Sequence, residues 1–350
     1  MTAVAAVRSR VGAEVLGWVS VLALAGLFPL VTNVPYFIST GITVLVFVTL
    51  AVAFDLVVGR IGALSLAQPV FFGFGAYVAA LLSANLIGGF WLELVIAAVG
   101  AVILALVIGI PSFRLSLHAF AIGTLGFQLS AQLIAQNWIS VTGGPLCVTR
   151  IGPLSLDYPG GAIAVSDYTG LYYVILAIAA CSIALTLAIT RLNIGLAFTA
   201  VRDDPVLASA RGFSPTAVRL TALALSAVLS AAAGAFTAHF QTVICPDSLD
   251  ISYTVALLIM VFIGGRGSLR GVVSAAVLFT VLPQVLRAAA EWRLAIYGLA
   301  LLVVVTTVPD GLEQIYQAVE KALRRVRRNG TGDDSGPAPR VSDTTFGGGQ

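Results

Sequence analysis

Ten mainly apolar stretches follow one another along this chain, at residues 13–32, 38–58, 64–84, 90–110, 116–136, 170–190, 218–241, 253–265, 271–289 and 293–309. That succession restricts the fold more than any other feature. A helix crosses the hydrocarbon of a bilayer in about 20 residues, and lipid offers no water to a backbone left outside a helix or a closed barrel. The alternation of an outer-membrane barrel does not occur in these stretches. Only 10% of the 350 residues are charged and 59% are hydrophobic, against about 25% charged in a soluble domain. A soluble fold of this size has no core large enough to hide so much apolar surface. The expected fold class is an all-α polytopic membrane protein with about ten transmembrane helices, some of them broken. The eighth stretch, 253–265, is under span length, which predicts a tilted or glycine-broken segment. The first follows Arg8 and Arg10 as a signal peptide would; it lacks a small-residue cleavage site, so we read it as a retained span.

Orientation follows from the basic residues. With both termini in the cytoplasm, the inner segments hold every one of the 19 lysines and arginines except Arg150, Arg287 and Arg293. This is the bias that short cytoplasmic loops carry. The run Lys321–Arg328 reads as a topology anchor beside anionic lipid, and the Gly/Pro-rich segment after it as disordered. No nucleic-acid reader is recognisable. Cys147 and Cys245 fall in loops placed outside, which leaves a disulfide open, but two loop cysteines say nothing about proximity and we read them, with Cys181, as free thiols.

Residues 200–219 interrupt this apolar chain with charge. Asp204 followed by Pro205 predicts an N-cap and a first helical residue, and Arg211 with Gly212 predicts the other end. The helix is thus about seven residues long, too short to be stable alone. Val206, Leu207 and Ala210 supply apolar contact. Physics leaves two readings level: an interfacial connector, or a peg that docks on a cytoplasmic protein.

Polar residues inside the apolar stretches give candidate path residues. Gly59, Arg60, Gly62, Ser65, Gln68 and Pro69 interrupt the hydrophobicity of the block 59–82, as broken helices do where they line a cavity. Gly73, Gly75 and Ala76 read instead as close helix packing. Residues 57–66 and 262–271 echo each other faintly, a hint of two related halves. Thr124, Gln128, Gln132 and Gln136 recur every fourth residue and so share one helix face; a pore stripe and interhelical hydrogen bonding both fit. Asp55 and Glu93 lie near span ends and read as interfacial, and His118 and His239 as structural, without carboxylate partners or metal spacing. No intramembrane acid is expected where a coupling ion would bind, which disfavours a proton-driven carrier.

Residues 194–240 resemble the cytoplasmic loop and following span of the branched-chain amino acid ABC transporter permeases. The matches fall at Gly195, Ala197, Ala200, Arg202, Asp203, Ala208 and Gly212, then Ser226, Ala227 and Gly234. Residues 59–82, 118–127 with 142–146, and 250–273 resemble further blocks of that family, and "VPDGL" at 308–312 its closing motif. The resemblance implies a permease domain over 13–312 between a cytoplasmic N-terminus (1–12) and a basic, then disordered tail (313–350). It implies a coupling loop at 191–219, with Arg202, Asp203, Asp204, Val206, Leu207, Ala208, Arg211 and Gly212 facing an ATP-binding subunit. Candidate residues of the translocation path are Ser65, Gln68, Pro69, Thr124, Gln128, Gln132, Thr142, Gly143 and Gly144.

The chain has no phosphate loop of its own. ATP and Mg therefore belong to a partner, no cofactor or metal is expected here, and the chain is read as no enzyme. Implied partners are cytoplasmic ABC ATPases, a second homologous permease, an extracellular solute-binding protein and membrane lipid, in a multi-pass protein of the inner or plasma membrane. The sequence departs from the family pattern at Ser65-Leu66-Ala67-Gln68, before "FAI" at 120–122, and after Gly144. Branched-chain amino acids are the default cargo, with urea, short amides or another small solute open. A stand-alone channel or secondary carrier is the second class, and a membrane-embedded enzyme ranks last.

Overall fold

The computed structural model describes residues 2–31, 34–85, 89–158 and 161–285. The chain divides into a unit over Met1–Glu313 and one over Gln314–Gln350. The tenth apolar stretch, the end of the ninth, the 308–312 motif and the basic tail lie outside the described residues.

The described chain is dominated by helices: α1 (Thr2–Val31), α2 (Pro35–Asp55), α3 (Gln68–Ala84), α4 (Phe90–Ser112), α5 (Leu117–Asn137), α6 (Ile139–Thr142), α7 (Tyr168–Arg191), α8 (Asn193–Asp203), α9 (Pro205–Ala210), α10 (Pro215–Gln241), α11 (Ile251–Gly264) and α12 (Leu269–Val285). Among the described residues, four segments are long and apolar enough to cross a membrane: Pro35–Arg60, Phe90–Ser112, Tyr168–Arg191 and Pro215–Gln241. The stretch 116–136 forms α5, whose glutamines, serine and threonine keep it out of that group. At 14 residues and a rise of about 1.5 Å each, α11 is short of a bilayer crossing.

Two faces of α4 show how the helices meet lipid and one another. Trp91, Val95, Val99, Ile103 and Val107 recur every fourth residue, and all are exposed, whereas Ala97, Ala101 and Ala105 are buried. An apolar face left open is what hydrocarbon solvates, and the small-residue face lets a neighbouring backbone approach. The neighbours are α3 and α10, which also pack closely on each other. A Cβ on Gly75 would come within 2.6 Å of Ala231 Cα, and one on Gly234 within 2.9 Å of Ala76 N. Two helices can touch this closely only where neither carries a side chain at the crossing. On its other side α10 packs on α2, which in turn packs on α7 and α12.

The third stretch is broken, as its glycines and polar residues led us to expect. Helix α2 runs into a π turn at Leu56–Arg60, residues 61–67 are not helical, and α3 begins only at Gln68. The segment beyond α6 departs from an all-α fold. Strands β1 (Leu154–Tyr158) and β2 (Gly161–Val165) pair antiparallel, with Leu154 opposite Val165. The sequence signal for this hairpin is the Pro-Gly-Gly run at 159–161 between residues of good strand propensity.

Cys147 and Cys245 are not the free thiols expected. They form a disulfide between the α6–β1 segment and the loop after α10, beside an isolated bridge of Val148 and Ile244. Cys181 is free.

Candidate functional site

The break at 61–67 leaves peptide groups without helical partners, and three polar side chains of the candidate path set lie at or beside its repair. Thr124 Oγ1 on α5 accepts from Leu66 N–H at 3.0 Å, and Thr254 Oγ1 on α11 donates to Leu66 O at 3.3 Å. Both groups of one peptide residue are thus taken by threonines from two helices. Four residues along the same face of α5, Gln128 donates through Nε2 to Leu249 O, in the 3₁₀ turn Pro246–Leu249 that precedes α11. Four further on, Gln132 Nε2 donates to Asp250 Oδ2 at 3.3 Å. The α5 stripe therefore bonds two broken segments, 61–67 and 246–250, to one helix. Gln128 Oε1 is buried without a hydrogen-bond partner.

Ser65, Gln68 and Pro69 are buried beside this junction. Ser65 Oγ accepts from Ala67 N–H at 3.4 Å. Gln68 turns to α10, donating to Ser230 Oγ and accepting from Ser226 Oγ at 3.2 Å. Thr142, Gly143 and Gly144 fold against the end of α5 instead: Thr142 Oγ1 contacts Ala135 O at 2.6 Å, and both glycines take positive φ. At Gly144 a Cβ would meet Gln136 O at 2.8 Å, so the turn itself needs glycine there.

The charged loop has a built form. Asp204 Oδ1 accepts from Val206 and Leu207 N–H at 2.8 and 3.0 Å, an N-cap for α9. At the other end Gly212, at φ +90°, donates to Ser209 O at 3.0 Å and Phe213 N–H to Ala208 O at 3.1 Å. That pair of bonds is a Schellman closure, which saturates the carbonyls a short helix leaves bare. Ala208 is buried, while Val206 is 78% exposed and Leu207 52%. Asp203 and Arg211 are exposed beside them. Arg202 is exposed as well, but its guanidinium is engaged within the protein: Nη1 donates to Gly59 O at 2.7 Å.

Three ionic or polar groups escaped the sequence reading. Asp55, near the end of its span, is fully buried within the protein; it accepts from Gly267 N–H at 2.8 Å and faces Arg60 Nε at 3.3 Å. Glu93 is also buried, and it is the carboxylate partner that His239 was expected to lack: Oε2 lies 2.6 Å from Nε2. His239 Nδ1 lies 3.0 Å from Gly152 O, and because a carbonyl only accepts, that nitrogen carries a proton. Glu93 and His239 are 146 residues apart, so no local pattern marks them. The glycines of the 57–66 and 262–271 echo are the one signal for the Asp55 cluster.

At the far end of α10 from α9, two clefts flank the disulfide. One of about 400 Å³ is lined by residues that include Asp247, Asp250, Ser252 and Tyr253. The other, about 430 Å³, is lined by Gln136, Asn137, Pro145, Cys147, Cys245, Pro246 and Asp247. The hydroxyl and backbone N–H of Ser252 donate to Asp250 and hold its carboxyl below the ordinary range.

Comparison with known proteins identifies the family. Residues 36–305 match the family model of the branched-chain amino acid transport system permease component. The chain is 29% identical over 315 residues to the high-affinity branched-chain amino acid transport system permease protein LivM of Escherichia coli, covering 83% of this chain and 74% of that protein. It is 29% identical over 302 residues to the LivM of Salmonella typhimurium, covering 79% and 71%. No solved structure matches. A family match over residues 36–305 leads to one assignment: this chain belongs to the permease components of branched-chain amino acid transport systems, a family of membrane transport proteins and not of enzymes.

Proposed function

We propose that this chain is a translocating subunit of an ABC importer, with about ten spans and both termini in the cytoplasm. Its cargo is a branched-chain amino acid, as the names of the two LivM relatives indicate for those proteins. The observation that carries the reading is α9: a six-residue helix closed at both ends, with Val206 and Leu207 held outward. A helix of that length has no stability to spare for decoration. Its caps make a rigid apolar knob, the shape that enters a groove of a separate ATPase. ATP-driven closure of two such ATPases would move the α8–α9 loop and reopen the path at Leu66, Thr124 and Gln128. Asp203, Asp204, Ala208, Arg211 and Gly212 shape and rim the knob. A second homologous permease completes the path, and a solute-binding protein delivers cargo to the clefts beside the disulfide.

Orientation has independent support. Disulfides persist on the oxidising side of a membrane, and Cys147–Cys245 lies at the opposite end of α10 from the arginine-bearing α8–α9 loop. Both signals support a cytoplasmic position for that loop.

The test is uptake by proteoliposomes holding this chain, its partner permease and their ATPases, with binding protein outside. ATP-dependent leucine uptake supports the reading; uptake of urea or a short amide in its place reassigns the cargo. The buried Glu93–His239 pair is the feature a proton-driven carrier would use. Uptake by this chain alone, driven by a proton gradient without ATP, would replace the importer reading.

A further inference from the structure

We infer that Arg202 is a positioning residue that joins the ATPase-facing knob to the broken helix of the path, acting as a latch inside the permease and not as a contact to the ATPase. The inference deepens the importer reading and rests on it. Arg202 lies in the last turn of α8, just before the Asp204 cap, and Asp204 N–H donates to Ala200 O at 3.1 Å, so α8 and α9 are tied together. Its Nη1 donates to Gly59 O at 2.7 Å. Gly59 belongs to the π turn after which the helix stops, and a carbonyl at a helix end needs a partner from elsewhere.

The surroundings form a slot for this side chain. A Cβ on Gly62 would lie 3.4 Å from Arg202 Cγ, and one on Gly267 3.3 Å from Nη1. Both glycines have positive φ, +75° and +81°. Asp55 closes the same cluster by accepting from Gly267 N–H, with a Cβ on Gly59 only 2.6 Å from Gly267 N. The turns brought together are the two that echo each other in sequence, 57–66 and 262–271. Arg202 thus grips the seam between them. From Gly59 the chain runs without helix through 61–67 to Leu66, whose peptide is held by Thr124 and Thr254. A displacement of α9 has a continuous covalent and hydrogen-bonded route to the path.

The experiment compares wild type with Arg202→Met, Arg202→Lys and Gly267→Ala in complexes with the cognate ATPases, reading ATPase co-purification and leucine imported per ATP hydrolysed. A latch predicts that all three retain the ATPases. Leucine moved per ATP falls about tenfold or more in Arg202→Met and Gly267→Ala, and Arg202→Lys recovers part because an ammonium still donates to Gly59 O. If Arg202→Met does not accumulate in membranes, Arg202→Lys and Gly267→Ala decide the matter between them. Loss of the ATPases from the Arg202 variants while Gly267→Ala transports normally would make Arg202 a docking residue and overturn the latch. So would a transport ratio within about twofold of wild type in every variant. Absence of ATPase from the wild type would instead overturn the importer reading, and the latch with it.

Discussion

At the scale of single residues, the helix crossing of α3 and α10 is the tightest constraint. Because Cβ atoms at Gly75 and Gly234 would run into backbone of the opposite helix, no rotamer change can relieve them. Gly234→Ala should cost roughly 1–3 kcal/mol, as overpacking does, seen as a lower melting temperature in detergent. An unchanged melting temperature would show that the helices part more easily than the packing implies. Gly75 and Ala76 of this crossing were legible as packing positions, since they cluster with Gly73 in an apolar run, although Gly73 itself packs on Leu249. The Glu93–His239 pair was not, because its two halves come from helices far apart in sequence. Removing one partner leaves a buried polar group alone. Glu93→Gln and His239→Gln should therefore each destabilise by about 1–3 kcal/mol, and the double variant by less than their sum. Additive losses in a double-mutant cycle would mean the two side chains do not interact.

At the scale of elements, the residues of the capped helix carried their positions openly. Asp204-Pro205 and Arg211-Gly212 bracket a helix in sequence, and the structure has Pro205–Ala210 between the same caps. Asp204→Ala should cost about 1 kcal/mol of local stability, read as faster amide exchange at Val206 and Leu207, the two N–H groups it accepts from. Exchange at wild-type rates would mean that packing of Ala208 alone holds the helix. The third span was less legible. Its polar residues announced a break, but where the helix stops depends on Thr124, Thr254 and Arg202, which arrive from three other helices. The α5 stripe likewise left two roles level in the sequence; its hydrogen bonds now join the broken segments, while Gln128 Oε1 still lacks a partner. The disulfide could not be read from spacing, since Cys147 and Cys245 are 98 residues apart. Alkylation of the denatured protein should tag one cysteine, Cys181, without reductant and all three with it. Three tags without reductant would contradict the bridge.

At the scale of the whole molecule, composition and the succession of apolar stretches were enough for a helical membrane protein, because lipid admits so few backbone solutions. They were silent on how the helices pack, which is set by the small-residue faces of α3, α4 and α10, and on the β-hairpin, a short element between spans. The family match spans most of the chain, and the account built on it depends on one physical claim: the α9 knob is where a separate ATPase engages. The most direct measurement is co-purification of the cognate ATPase with the tagged chain, wild type against Val206→Asp with Leu207→Asp. Both residues are exposed, so the permease itself should fold and reach the membrane unchanged. The account predicts near-stoichiometric ATPase with the wild type and at least about tenfold less with the double variant, since charges buried in an apolar interface go unpaired. Equal recovery of ATPase with both proteins would contradict it.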